Sequence, residues 1–423
     1  MVFNTITHCR ICGNTDLVQV VNLGFQALSG RFPVVGTSDP LSAPLELVKC
    51  DGEDSCGLLQ LAHNIPLSEM YGASYGYLSG LNQTMSNHLK EITLYAQQLA
   101  HIQKDDIVLD IGSNDGTLLK SYTVKGIRRM GIDPGGEQFK IHYPNDIVLV
   151  TDFFSKQAFN RVYPSGKAKI ITSIAMFYDL ENPMTFVSEI KEILHPKGIW
   201  ILEQSYMPTM IKMNAFDTIC HEHLEYYTLK QIVWIMERND LRVFDVSFND
   251  TNGGSFQISV CHKNARYPDG KEIVTKILDD EKHKGFDSLQ PYTDFNERIS
   301  KIRNVLYNFL SEEKKKGKTI HLYGASTKGN VLLQFCGIDY RLISFAADKN
   351  PLKNGHWTPA SHILIFSEEF SRACNPDYYL VLPWHFRKEF LEREKDYLES
   401  GGCFIFPLPK IELVRKDSRD VLC

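Results

Sequence analysis

Four groups of side chains in this sequence could do chemistry. His221-Glu222-His223 places two imidazoles, which titrate near neutral pH, on either side of a carboxylate, the make-up of a general base with a group able to orient or tune it. A pair of satisfied surface histidines is the plain alternative, and H-x-H presents metal ligands differently from the helical H-E-x-x-H. Asp110-Ile-Gly112-Ser-Asn114-Asp115-Gly116 combines glycines, which let backbone approach a ligand, with acids that suit a cation or hydroxyls. Cys9, Cys12, Cys50 and Cys56 can supply four thiolates to a tetrahedral Zn²⁺ site. The second pair, C-x5-C, is looser than a usual knuckle, so His8 or His63 could replace one ligand, and four unrelated buried thiols are the alternative. Finally, Gly324-Ala-Ser326-Thr-Lys328-Gly329-Asn330 precedes an apolar helix, where Lys328 and backbone amides could bind a phosphate or pyrophosphate.

The elements around these groups fix where they lie. Ile107–Asp110 and Met130–Asp133 read as buried parallel strands joined through the glycine turn and a short helix from Thr117 to Tyr122. A carboxylate closing the second strand can hold ribose hydroxyls at the carboxyl edge of such a sheet. An NAD site wants G-x-G-x-x-G around a pyrophosphate, which Asp115 would repel. The acid-rich turn suits the cationic methionine end of S-adenosylmethionine and resembles motif I of class I methyltransferases. Further strands are expected at Asp146–Val150, Ala168–Ser173 and Ile199–Glu203, with helices at Pro183–Leu194 and Leu229–Arg238 and a closing hairpin at Leu241–Phe248 and Ser255–Cys261. This pattern matches the seven-stranded class I methyltransferase sheet. The candidate cofactor contacts are Asp110, Gly112, Asn114, Asp115 and Asp133, with Asp152 and Phe153 after the third strand. The H-E-H loop leaves the carboxyl edge after the fifth strand, facing that cofactor.

Upstream, Tyr71, Tyr75 and Tyr77 sit before an amphipathic helix beginning near Thr84; they fit a lid over the site, and equally packing between domains. Residues 1–66 carry little regular apolar pattern, so metal binding is expected to contribute their folding energy. Beyond Gly270, charged helical sequence leads to strand Thr319–Tyr323, the Lys328 turn, strand Leu342–Ala347 ending in Asp348, strand Tyr378–Leu382 and a helix over Phe386–Leu398. This is a second Rossmann-like half, and a purely structural lid domain is the plain alternative.

The chain of 423 residues is too long for one core, so two or three domains are expected. Hydrophobic residues make up 43%, charged residues 23%, and the net charge is −5, so the composition does not suggest a nucleic-acid partner. No apolar run reaches membrane length and the N-terminus does not look like a signal peptide, so a cytoplasmic location is expected. There, ten cysteines act as thiols or metal ligands instead of disulfides.

Taken in order, Cys9–Gly13, CGLLQL at 56–61, YGYLSGLNQTM at 75–85, DIGSNDGTLL at 110–119, FDTICHEHLEYY at 216–227, NGGSF at 252–256, GASTKGN at 324–330 and LPWHF at 382–386 resemble the three-domain sugar C-methyltransferases. The resemblance covers almost the whole chain. It implies a zinc domain at 1–66, an S-adenosylmethionine domain at 67–268 with a helical lead-in at 67–103, and a Rossmann-like domain at 269–423 that helps enclose a nucleotide sugar. It implies C3 methylation of a nucleoside-diphosphate 4-ketosugar, with His223 as the base that forms an enolate. Glu222 would position substrate or base, and Tyr75 or Tyr77 would approach the sugar. Ser326, Lys328, Asn330 and His221 are the further substrate contacts, in a monomer or homodimer. Two departures bear on the substrate: Cys220 stands where the family's antibiotic-sugar enzymes carry tyrosine, and Gln257 where an arginine often follows GGS. An O- or N-methyltransferase, or a nucleotide-sugar-binding protein without activity, would be the competing functions.

Overall fold

The computed structural model describes residues 3–70, 78–81 and 83–422; the expectations for Tyr71, Tyr75 and Tyr77 lie outside the described residues. Among the described residues, no helix is long and apolar enough to cross a membrane.

The first surprise is the N-terminal part. Strands β1 (Leu17–Ala27) and β2 (Ser42–Cys50) form an antiparallel hairpin, and β3 (Leu59–Leu61) joins β2. The sequence hides this hairpin because the ladder slips register between Gln19 and Val21 and again between Asn22 and Phe25. The slips break the period of two, so Val21 and Leu23 are buried while Phe25 stays 65% exposed. The expectation of a segment without regular pattern is therefore corrected: it has a sheet as well as a metal-ligand cluster.

Helix α1 (Gln83–Ala100) buries Leu89, Ile92 and Ala96 along one stripe. The middle sheet follows: β4 (Ile107–Ile111), β5 (Arg128–Ile132), β6 (Ile147–Val150), β7 (Ala168–Ile174) and β8 (Leu194–Ser205) are parallel. β8 starts earlier than Ile199, with a break in register between Leu194 and Ile199. The next strand, β9 (Glu225–Tyr226), leaves this sheet and pairs with β3 in the N-terminal one. After helix α2 (Leu229–Arg238), β10 (Leu241–Asn249) and β11 (Ser255–His262) return as an antiparallel hairpin, with β11 against β8. The order β10-β11-β8-β7-β4-β5-β6 reverses direction between β4 and β7, the switch point where open α/β sheets bind ligands. This is the class I methyltransferase sheet.

Helices α3 (Lys271–His283) and α4 (Gln290–Lys315) lead into the third part. There β12 (Ile320–Tyr323) is followed by helix α5 (Thr327–Cys336), β13 (Phe345–Ala347), β14 (Ile365–Phe366), β15 (Tyr378–Val381), β16 (Cys403–Phe406), β17 (Glu412–Val414) and β18 (Arg419–Val421). Their order, β14-β13-β12-β15-β16-β17-β18, is Rossmann-like. The helix expected over Phe386–Leu398 is two short ones, Arg387–Arg393 and Lys395–Glu399.

The parts share their cores. Val21, Leu45 and Leu61 of the N-terminal sheet pack in one cluster with Phe216 and Ile219 of the middle part and Phe295, Leu306 and Leu332 of the third. The four knuckle cysteines pack with Tyr227, Leu229 and Ile232 in the cluster under the middle sheet. Burial of this kind fixes loops that would otherwise move independently.

Candidate active site

At the switch point the chain turns through Gly112 and Gly116, at φ +71° and +72°. A Cβ on Gly112 would stand 3.2 Å from Met176 and one on Gly116 3.0 Å from Tyr143, so the turn can hug its neighbours only as glycine. Asp110, at the end of β4, is buried and accepts from Thr172 Oγ1 at 2.6 Å. Burial pushes its carboxyl up to about 7, against the lowering by Thr172. Asp133, just past β5, accepts from the amides of Asn114 (2.8 Å) and Gly135 (2.7 Å). Burial raises it while these two bonds hold it down, and each oxygen keeps a lone pair for a ligand. With Ile132, Met176 and Phe153 they form a wall of two carboxylates and apolar surface. That donor set fits the sulfonium, ribose and adenine of S-adenosylmethionine.

Three expected contacts are used differently. Asp115 takes the Gly80 and Thr117 amides at 2.9 and 3.1 Å and does not line the cleft. Asn114 lines it while its Oδ1 accepts from Ser79 N at 3.0 Å, so the turn anchors the approach to α1. Asp152 pairs with Arg161 at 2.5 Å and is off the cleft wall, whereas Phe153 is on it.

The His223 loop forms the adjoining wall. His223 Nδ1 lies 2.9 Å from the Thr218 carbonyl. A carbonyl only accepts, so Nδ1 carries the proton and Nε2 keeps its lone pair. The Tyr178 ring stands 4.3 Å from the imidazole. Burial, and next the charge of Lys328, push His223 down to about 3. The expected near-neutral base is thus a neutral imidazole over the whole physiological range. Nor does Glu222 orient it, because the Thr218 carbonyl does. Glu222 lines the cleft and reaches the N-terminal part, where a Cβ on Gly30 would stand 2.7 Å from its Oε1. His221 is turned the other way: its Nε2 meets the Ala43 carbonyl at 3.2 Å, burial lowers it to about 4, and it does not line the cleft. The expectation of a substrate contact there is corrected.

The third part supplies the far wall. Lys328 is half-buried, donates to the Asn252 carbonyl at 3.0 Å and feels Asp217, whose Oδ2 accepts from Trp384 Nε1 at 2.9 Å. Ser326 caps α5 by accepting from Gly329 N at 3.0 Å, and both residues 326 and 328 line the cleft. Asn330 does not: it is fully buried and donates to the Ser29 carbonyl at 2.7 Å, which corrects its expected role to holding the N-terminal loop. Between these walls runs one cleft of about 1470 Å³. A single small ligand needs roughly 300–1,000 Å³, so there is room for a cofactor and a second substrate together.

Sequence reasoning missed Glu203. It lies at the carboxyl edge of β8, lines the cleft, and is held by His88 Nε2 at 2.6 Å and Asn249 Nδ2 at 2.8 Å. An acid ending an apolar strand at the ligand edge was the available signal; nothing local marks His88, in α1, as its partner.

The four thiols form the one group of potential metal ligands among the described residues, all sulfurs lying within 4.8 Å of one another. Cys9 and Cys56 sulfurs are 3.4 Å apart, as are those of Cys12 and Cys50. Tetrahedral Zn–S bonds of ~2.3 Å put sulfurs about 3.8 Å apart, so side-chain shifts of under about 1 Å bring the cluster to zinc geometry. His8 and His63 are not part of it.

Comparison with known proteins divides the chain in the same way. Residues 9–71 match a family of zinc binding domains, residues 83–246 a methyltransferase domain, and residues 250–409 the C-terminal domain of C-methyltransferases. Over 422 residues, 99% of either chain, the protein is 29% identical to the C-methyltransferase NovU of Streptomyces niveus. Among solved structures, the plantazolicin methyltransferase BpumL in complex with a triazolic desmethylPZN analog and SAH covers 44% of this chain and 88% of its own, at 12% identity and a TM-score of 0.35. The YcgJ protein of Bacillus subtilis covers 42% and 100%, at 11% identity and a TM-score of 0.32.

Proposed function

We propose that this chain, which belongs to the three-domain zinc-containing C-methyltransferases dependent on S-adenosylmethionine, methylates a carbon of a nucleotide-linked ketosugar. The observation that carries the proposal is the His223 imidazole. Its Nδ1 proton is committed to Thr218, and it shares a cleft with the Asp110–Asp133 crevice on one side and Lys328 on the other. S-adenosylmethionine, when bound, supplies an electrophilic methyl group. His223 Nε2 removes a proton from the carbon beside the ketone, C3 of a 4-ketosugar, which leaves an enolate with its nucleophilic carbon facing the crevice. Lys328, with Ser326, faces the diphosphate, and Glu222 meets the sugar hydroxyls. A diphosphate beside Lys328 would offset the charge that helps hold His223 down, raising its basicity when substrate is in place.

The test is turnover of a nucleoside-diphosphate 4-keto-6-deoxyhexose with S-adenosylmethionine labelled by carbon-13 in the methyl group. The expected product carries the label as a methyl on a quaternary sugar carbon. A label in the methoxy region would mean O-methylation and reject the proposal.

The crevice makes its own prediction. If Asp133 holds the ribose, Asp133→Ala should weaken binding of S-adenosylhomocysteine by about 1.5–3 kcal/mol, the value of charge-assisted hydrogen bonds, and NAD should not bind either protein. Calorimetry giving equal affinities for variant and wild type would remove Asp133 from the ribose site.

A further inference from the structure

We propose that Arg10, between the knuckle cysteines Cys9 and Cys12, is a positioning residue for the His223 loop, so that the metal module serves as a template for the active site. The inference rests on the function proposed for His223.

The guanidinium reaches well beyond the knuckle. Nη1 donates to Gln60 Oε1 at 3.2 Å and to the Leu61 carbonyl at 2.8 Å, and Nη2 bonds Asn64. The Arg10 amide adds a bond to Gln60 Oε1 at 3.1 Å. Nε faces Glu225 at 3.6 Å, an ion pair whose side chains are 3% and 0% exposed. Glu225 opens β9, the two-residue strand of the middle part that crosses into the N-terminal sheet, opposite Gln60. Arg10 therefore grips both sides of one ladder rung, β3 through Gln60 and Leu61, and β9 through Glu225.

That rung is two residues from His223. Leu224, between them, is pinned in both directions: its carbonyl accepts from Leu61 N at 2.8 Å and its amide donates to the Tyr178 carbonyl at 2.7 Å. His223 and Glu225 line the same cavity of about 10 Å³, the size of one water. Both side chains are shut off from water, so moving the strand away from Arg10 would leave a buried acid and a buried guanidinium without each other, which is costly. Nothing in the knuckle's own turn requires this arginine. The turn closes through backbone bonds from Gly13 N to Cys9 O and from Cys9 N to Asn14 O. The guanidinium divides its donors between β3, at Gln60 and Leu61, and Asn64 just beyond it, while its charge faces Glu225 of β9.

Two variants separate positioning from folding. Glu225→Gln keeps the shape and leaves the knuckle untouched; Arg10→Met keeps much of the stem and removes the charge. Each is assayed for zinc content, for S-adenosylhomocysteine affinity, for the NMR signal of the His223 imidazole (assigned by its absence in His223→Asn), and for kcat and KM. Both variants should retain zinc and bind S-adenosylhomocysteine within about twofold of wild type. Both should move the imidazole signal and lose on the order of 10–100-fold in kcat, with KM for the methyl donor little changed. Arg10→Lys should recover part of both readouts. An unmoved imidazole signal with wild-type kcat in Glu225→Gln would overturn the proposal, whether or not Arg10→Met folds. Loss of zinc in Arg10→Met beside a wild-type Glu225→Gln would also overturn it, confining Arg10 to the knuckle. The imidazole signal needs no sugar substrate. A wild-type protein inert toward ketosugars would therefore sink the functional proposal and leave this one to be decided.

Discussion

Replacing His223 by asparagine is expected to slow methyl transfer by about 10²–10⁴-fold, the usual cost of a lost general base, without weakening S-adenosylhomocysteine binding. Asparagine can still donate to the Thr218 carbonyl, so the loop keeps its anchor and only the proton acceptor is removed. Deuterium exchange at the sugar carbon, run without the methyl donor, isolates the proton-transfer step: wild type should wash deuterium in and the variant should not. Equal exchange in the two proteins would move the base elsewhere, to Glu203 or Glu222 on the same cleft. The pH profile carries the same test from another side. A base acts only above its pKa, and burial with Lys328 holds His223 at about 3. Activity due to this group should therefore be lost only as the pH falls toward that value. kcat/KM for the free enzyme should show no acidic limb near 6.5, where an exposed histidine would give one.

How much of this site is legible in the sequence depends on the range of the interactions involved. The five parallel strands of the middle sheet fall where apolar runs put them, because the central ones are buried on both faces whatever their neighbours are. The glycine turn with Asp110 and Asp133 is local too, and the structure brings both acids to one wall. Asn330 shows the limit. In the sequence it belongs to a phosphate-binding turn, yet its Nδ2 donates to the carbonyl of Ser29, 301 residues away. His221 likewise looks equivalent to His223 until the strand at Ala43 takes its Nε2. Glu203 escapes for the opposite reason: an acid at a strand end looks unremarkable until His88 and Asn249 close on it. Polar residues are assigned by their partners, and partners across domains have no local signature. The N-terminal hairpin fails differently, because its register slips erase the one pattern by which strands are recognised.

Removing zinc is expected to have the largest effect on stability. Structural zinc contributes roughly 10–16 kcal/mol in small peptides at neutral pH, against a whole-domain stability of about 5–15 kcal/mol. Cys9, Cys50 and Cys56 are 3%, 0% and 1% exposed, so without the ion three thiols stay crowded out of water with only weak sulfur–sulfur contacts at 3.4 Å. The damage should not stop at the knuckle. The cysteines pack with Tyr227 and Leu229 of the middle part, and Gln231 of α2 donates to the Cys56 carbonyl at 3.0 Å. Freshly purified protein should hold about one zinc per chain, and Cys12→Ser or chelation should lower the melting midpoint by more than roughly 10 °C, as a loss of several kcal/mol implies. Because β9 and the His223 loop are built on the N-terminal sheet while the Asp110–Asp133 crevice is built on β4 and β5, loss should come in order. On titrating in chelator, turnover should disappear at chelator levels where S-adenosylhomocysteine still binds. Metal-free protein that melts with the zinc form, or that keeps full turnover, would show the four thiols to be ordinary core residues.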